Sequence, residues 1–414
     1  MKKLVFVALI LMLGWTVFAG GKRDAGGGQD GVVTVNFYAH SDNEAIIAEL
    51  VNRFNAKNKG IKAVQHIIAN DDYDDKIKVL TAGTSGEIDA LWIRTPAQIQ
   101  QYISNRALVD LGSLAAESGI DLTPIKGTSL RGAMDSSGKF YGYPTTGSCW
   151  MLYYNKALFD AKGLPYPVNL TWDQYLDLAK QLTYTEGGKK YWGGLCPPWT
   201  MNLGASAAGE YLTAPEPMPL TRRYAQVLHR MYTADKSHPG IAEMSVGTFN
   251  ISSVFQSGNA YMMIMGDWSF TLETPFEFGV APLPVFPEAQ KEASVGQPSY
   301  YSISRNSKHQ KEAYQFIEFC TTSAEGTSVY ARYKNVPSYS TPEATAEYRK
   351  LVTLPGVEFR FSSKVAPEQG SEPYYGSIND AFIQELQLYL LGEQSLDDCF
   401  RKFFALRKEI ISSF

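Results

Sequence analysis

The sequence has no GxSxG elbow, no HExxH pair, no P-loop and no GxGxxG turn, so the common signatures of hydrolases, metalloproteases and nucleotide binders are missing. Its five histidines, His40, His66, His229, His238 and His309, stand at no metal-ligand spacing. Its four cysteines, Cys149, Cys196, Cys320 and Cys399, form no CxxC motif. No metal or cofactor is therefore expected. A disulfide remains open in an oxidising compartment, although Cys320 and Cys399 lie on apolar helix faces and read as buried free thiols. An excess of one charge is lacking too: 38 basic against 42 acidic residues give a net charge of -4, which supplies no pull toward nucleic acid or an anionic membrane.

What is present is ordinary globular chemistry, 44% hydrophobic and 19% charged, with aromatics at 13%. At 414 residues the chain exceeds the roughly 250 to 300 at which a single core stops growing, so two domains are expected. Lys2 and Lys3 before the apolar run Leu4 to Leu13, then Val17-Phe18-Ala19, read as a signal peptide cleaved after Ala19. That run is shorter than the roughly 20 residues a membrane anchor needs. Cleavage would take the net charge from -4 to -6 by removing Lys2 and Lys3. Residues 20–31, rich in glycine, read as a flexible leader.

Along the body, Val32 to Tyr38 alternates as a strand and ends in the polar turn His40-Ser41-Asp42-Asn43. Ile46, Ile47, Leu50, Val51 and Phe54 then stripe a helix, and Ile61 to Ile68 is a second strand. This βαβ unit favours a parallel sheet covered by helices. Asp71, Asp72, Asp74 and Asp75 suit the first turn of the next helix, where carboxylates offset the dipole. Tyr73 among them lies beyond a strand's carboxyl end. So do Arg94 and Thr95, after the buried run Ile88 to Ile93, and ligands of open α/β sheets sit in that place. Thr145 to Ser148 reads as a crossing into a second lobe, where Asn155 caps one helix and Thr171 with Gln174 forms a capping box. From Tyr191 to Pro219 loops dominate, and Trp199 is a candidate platform there. Helices at 308–322, 379–391 and 396–412 read as scaffold.

The stretch Phe255 to Pro287 organises the rest. An apolar strand, Ala260 to Met265, breaks at Gly266-Asp267-Trp268, which places a turn, a carboxylate and a flat aromatic with one N–H donor together. These are the parts of a polar-ligand site.

With that stretch, the runs Gly138 to Pro144, Leu152 to Phe159 and Thr171 to Tyr175, and then Ser302-Ile303-Ser304 leading into Ala313 to Phe319, the chain resembles bacterial extracellular solute-binding proteins of the family 1 type. These are sugar receptors of ABC importers. The resemblance implies a two-lobe α/β periplasmic-binding-protein fold, with lobes 32–144 plus 296–335 and 149–290 plus 340–414. Crossings fall near Thr145 to Ser148, Pro284 to Gly296 and Val336 to Pro342. It implies a cleft lined by Asp267 and Trp268, by His40 and Ser41, by Asp72 and Tyr73, and by Gln297, with Arg94, Thr95, Thr145 and Trp199 added by position.

The expected function is capture of a mono- or oligosaccharide by lobe closure and delivery to membrane permease subunits, by a periplasmic monomer with no catalysis. Relatives of this type often carry a lipobox cysteine after the apolar run, a tryptophan-rich or aromatic-histidine turn after the first strand and a glycine pair at 296–297. This chain has no such cysteine, has Tyr38-Ala39-His40-Ser41 at the turn, and has Gln297 in place of the second glycine. Arg94 would favour an acidic solute, whereas Asp72 and Asp267 would suit hydroxyls or an amine. A polyamine receptor is therefore the second expectation. A glycan hydrolase or lyase, with Asp72, Asp267 and Glu372 converging, is the third.

Overall fold

The computed structural model describes residues 31–83, 86–125, 128–244 and 249–414; the expected signal peptide and most of the leader lie outside them. Strands β1 (Val33–His40), β2 (Ile61–Ile68), β3 (Ala90–Ile93), β4 (Tyr143–Gly147) and β5 (Trp150–Asn155) appear in the first part of the chain. Strands β6 (Tyr184–Glu186), β7 (Lys189–Leu195), β8 (Ala260–Gly266), β9 (Phe278–Pro282), β10 (Ala293–Gly296), β11 (Pro298–Ile303) and β12 (Lys364–Pro367) follow.

The first sheet has the order β2-β1-β3-β11-β4. Its β1 runs parallel to β2 and β3, as the βαβ pattern requires, because the helix Glu44–Lys57 carries the chain back across one face. That helix buries Ile46, Ile47, Leu50, Val51 and Phe54. Val35, Phe37 and Ala39 alternate inward from β1 to meet them. The return strand β11 joins this sheet antiparallel to β3 and β4, so the expected parallel sheet is a mixed one.

The second sheet has the order β6-β7-β8-β5-β9. Both β5 and β8 are buried along their whole length, which explains why Ala260 to Met265 reads as an unbroken apolar run. Asn155 accepts the Leu158 N–H at 3.2 Å, and Thr171 with Gln174 forms the capping box, so both helix starts follow their sequence signals. One core draws on residues between Val35 and Tyr143 and between Tyr300 and Tyr339. The other draws on residues between Cys149 and Val295 and between Tyr348 and Phe403, together with Ala97 and Ala331. All four cysteines are buried and free.

The crossings between the two sheets bind one another. The Gly147 N–H donates to the Val336 carbonyl (3.2 Å) and the Ser338 N–H to the Thr145 carbonyl (2.9 Å). The Ser148 hydroxyl donates to the Gln297 carbonyl (3.1 Å) and accepts from the Gln297 N–H (2.9 Å). A Cβ on Gly296 would stand 1.9 Å from the Ser148 carbonyl oxygen, so glycine is required where these backbones meet.

Candidate ligand-binding site

The crossings border a cavity of about 500 Å³. Pro96, Arg131 and Gly132 line it from the first lobe, Gly147, Ser148 and Gln297 from the crossings, and Tyr211, Arg360 and Glu372 from the second lobe. An adjoining cavity of about 280 Å³ lies between Asp74, Lys78, Arg94, Thr95 and Gln98 on one side and Gln369 and Asp380 on the other. Gln369 lines both. A cleft of this size with a few converging polar groups is the usual form of a small-molecule site.

Its polar atoms fall into two kinds. Some are already satisfied: Asp267 takes the Nε–H of Arg360, the Cys149 N–H donates to Asp267 Oδ1 (3.2 Å), and Arg360 Nη2 donates to the Gly147 carbonyl (2.7 Å). Burial pushes the Asp267 carboxyl above its ordinary range, with Arg360 opposing the shift. Others are open. Oε1 of Gln297 and Oε2 of Glu372 are shielded from solvent and take no hydrogen bond. An enclosed acceptor without a donor carries a desolvation cost of about 1 to 3 kcal/mol.

The charges balance. Among the described residues Arg131 and Glu372 have no salt-bridge partner and are of opposite sign, while Arg360 is neutralised by Asp267. In the smaller cavity Arg94 pairs with Asp74 (3.3 Å), and Lys78 and Asp380 are again opposite in sign.

The expected site residues divide sharply. Gln297 lines the larger cavity; Arg94 and Thr95 line the smaller one, where Thr95 also caps the helix Pro96–Ser104 by accepting the Gln98 N–H at 3.1 Å. Tyr73 requires correction. It is 1% exposed, and its hydroxyl lies 2.7 Å from the Trp92 carbonyl and 3.0 Å from that of Tyr38, so it belongs to the core. Asp72 is exposed, pairs with Lys76 at 3.0 Å and lines neither cavity.

His40 is buried against Trp92, with ring centroids 4.1 Å apart, and burial lowers its pKa to about 4. The Ser41 hydroxyl accepts the Asn70 N–H (3.1 Å), and that of Thr145 is held by Ser299 (2.6 Å). All three side chains serve the scaffold around the strand ends and line neither cavity.

Trp199 is 57% exposed and Trp268 41% exposed, and neither borders these cavities. Trp268 packs edge-on against Trp150, with centroids 5.2 Å apart. The Trp150 indole N–H donates to Glu368 (2.8 Å), whose neighbours Pro367 and Gln369 line the larger cavity. Burial raises the Glu368 pKa to about 7 against that hydrogen bond.

Sequence reasoning missed Arg131 and Arg360, and weighed Glu372 only as a catalytic acid. The polar, proline-bounded loop Pro367 to Pro373 was a usable signal for Glu372. Arg360 sits on a four-residue helix, Phe359–Ser362, with no local pattern to reveal it.

The model for "bacterial extracellular solute-binding protein" matches residues 39–327. A maltodextrin-binding protein of Bacillus subtilis is 22% identical over 297 residues, covering 67% of this chain and 70% of the relative. Among solved structures, an ABC substrate-binding protein from Listeria monocytogenes in complex with cycloalternan superposes with a TM-score of 0.79 at 22% identity, over 92% of this chain and 99% of that one. A maltose/maltodextrin-binding domain from Bdellovibrio bacteriovorus bound to maltotriose gives 0.72 at 18%, over 92% and 100%.

Proposed function

The chain belongs to the bacterial extracellular solute-binding protein family, and from that premise we propose that it captures an uncharged saccharide between its lobes and hands it to an ABC permease in the membrane. The observation that carries the choice of ligand is the cleft lining: equal and opposite charges, with two enclosed acceptors lacking donors. A saccharide hydroxyl both donates and accepts, so it suits a lining that offers amide, carboxylate and guanidinium groups in balance. A polyamine would need a net negative lining, and an acidic sugar a net positive one. Bound saccharides in similar structures support the same reading.

The mechanism is a population shift. Contacts that reach both lobes exist only when the lobes approach, so the ligand favours the closed state by its difference in affinity for the two. No bond is made or broken. Of the three carboxylates considered for hydrolysis, Asp72 faces solvent and Asp267 is committed to Arg360, which leaves Glu372 alone at the larger cavity. We assign the lobe limits to 32–144 with 296–335 and 149–290 with 340–414. Trp268 is the aromatic platform reached on closure, and Arg94, Thr95 and Gln297 are polar contacts. Export through a signal peptide ending at Ala19 fits the family, and among the described residues no helix is long and apolar enough to cross a membrane.

The test is a thermal-shift screen of residues 20–414 against neutral mono- and oligosaccharides, acidic sugars, polyamines and amino acids. A neutral saccharide above its Kd should raise the melting temperature and be recovered unchanged. A response confined to polyamines or amino acids would overturn the saccharide assignment, and conversion of an oligosaccharide would make the protein an enzyme.

A further inference from the structure

We propose that Arg360 is a ligand-contacting specificity residue, that Asp267 positions it and cancels its charge, and that the pair ties occupancy of the cleft to the crossing at Gly147. The inference rests on the saccharide reading above.

Arg360 belongs to the body of the second lobe. Its short helix follows Gly356, which has φ +82° and stands where a Cβ would lie 1.9 Å from the Val280 carbonyl oxygen. The Val280 N–H donates to the Pro355 carbonyl (2.8 Å), which fixes this segment to β9. From there the guanidinium reaches the crossing: Nη2 donates to the Gly147 carbonyl (2.7 Å) at the end of β4. Asp267 holds the same crossing on the other side of Ser148 by accepting the Cys149 N–H at one carboxylate oxygen, and accepts the Arg360 Nε–H at the other. Ser148 between them is bonded to Gln297 on the second crossing. One ion pair thus grips both flanks of the residue at which the two crossings join.

The guanidinium is also part of the ligand surface. It carries five N–H donors in one plane, and Nη1 has no protein acceptor among the described residues. Arg360 lines the larger cavity beside Gly147, Ser148 and Gln297, with its side chain 11% exposed. A ligand oxygen accepting from Nη1 would bear directly on the group that holds the crossing. Because Asp267 neutralises it, this donor suits a hydroxyl; without Asp267 it would suit a carboxylate. Asp267 therefore acts through Arg360, by setting its direction and its charge.

The test compares the wild-type protein with Asp267→Asn, Arg360→Lys and Arg360→Gln. Titration calorimetry uses maltotriose and its carboxylate-ended oxidation product, maltotrionate. Distances between spin labels placed at the exposed Lys62 and Lys189 are read with and without sugar. Arg360→Lys keeps the charge but loses the planar fork, and should weaken maltotriose at least tenfold. Asp267→Asn should raise the maltotrionate-to-maltotriose affinity ratio at least tenfold. A purely structural carboxylate would lower both affinities together. Arg360→Lys binding maltotriose within twofold of wild type, or an unchanged ratio in Asp267→Asn, would overturn the proposal.

If wild type binds neither sugar, the saccharide reading is judged by the thermal-shift screen, and the ligand-free distances judge the tie to the crossing. Broader inter-lobe distributions in Asp267→Asn and Arg360→Gln would uphold it, and distributions matching wild type would reject it. Each variant is compared only after its melting temperature shows a cooperative fold.

Discussion

Two strand-end turns in this protein look alike in sequence and differ in kind. In the first lobe β1 ends at His40-Ser41, and Asp72 and Tyr73 stand in the helix after β2; in the second lobe β8 ends at Gly266-Asp267-Trp268. Both place polar and aromatic groups at strand ends, where open α/β sheets hold ligands. In the first turn those groups are spent internally. The Tyr73 hydroxyl takes two carbonyls, the His40 ring packs on Trp92, and Ser41 accepts the Asn70 N–H. In the second turn the carboxylate orients a cleft-lining arginine and the tryptophan stays exposed. Position at a strand end is thus insufficient; a binding residue must keep hydrogen-bonding capacity or aromatic surface that the fold has not used.

The largest effect expected from breaking this contrast is on stability at the second turn. Asp267→Ala leaves the Arg360 guanidinium buried without its counter-ion, which typically costs about 3 to 5 kcal/mol. Urea denaturation would read it, and a change below about 1 kcal/mol would mean that the pair is not buried in solution. Next is Trp268→Ala, which should lose about 2 to 3 kcal/mol of ligand affinity while leaving the melting temperature near wild type. Normal binding with a much lower melting temperature would place Trp268 in the core and remove the difference between the turns. Tyr73→Phe sharpens the first side of the comparison: the Trp92 and Tyr38 carbonyls lose the single hydroxyl proton they share, for about 1 to 2 kcal/mol of stability, with affinity unchanged.

How much was legible follows the range of the interactions involved. Local chemistry read well: the Asn155 cap, the Thr171–Gln174 box and the helix Leu396–Ser412 are all set by residues within a turn or two of each other. Strand β1 read well because its half-buried face leaves a period, and β8 because it is an unbroken apolar run, whereas Tyr191 to Leu195, expected as loop, lies in β7 of the second sheet. The site read poorly. Arg360 meets Asp267 across 93 residues, and no spacing rule spans that distance. Tyr73 is misleading because a tyrosine in a polar helix start looks like a ligand contact until its hydroxyl is seen to serve two carbonyls.

A smaller effect lies behind Trp268, at Glu368. Its pKa is raised to about 7 by burial, so the folded protein holds that proton more tightly than the unfolded chain, whose glutamates titrate near 4.3. The sign follows: the stabilisation is complete below about pH 4, and is lost as pH rises through 7. Glu368→Gln, which keeps the Trp150 contact without titrating, should flatten this decline by on the order of 1 kcal/mol between pH 5 and 8. Parallel stability profiles for wild type and variant would show that the carboxyl is solvated.

The smallest effect belongs to Asp72, and it bears most directly on the contrast between the turns. Its pairing with Lys76 is an exposed contact one helical turn apart, and such pairs contribute about 0.3 to 0.5 kcal/mol. Its place in the first turn of the helix Asn70–Ala82 adds a similar amount through the dipole. Asp72→Asn should therefore lower stability by under about 1 kcal/mol, less at high salt, and leave saccharide affinity within twofold. A tenfold loss of affinity in Asp72→Asn would mean that closure carries this carboxylate to the ligand. The first strand-end turn would then be a second half of the site, held open in the form described, and the distinction drawn between the two turns would be one of conformational state rather than of chemistry.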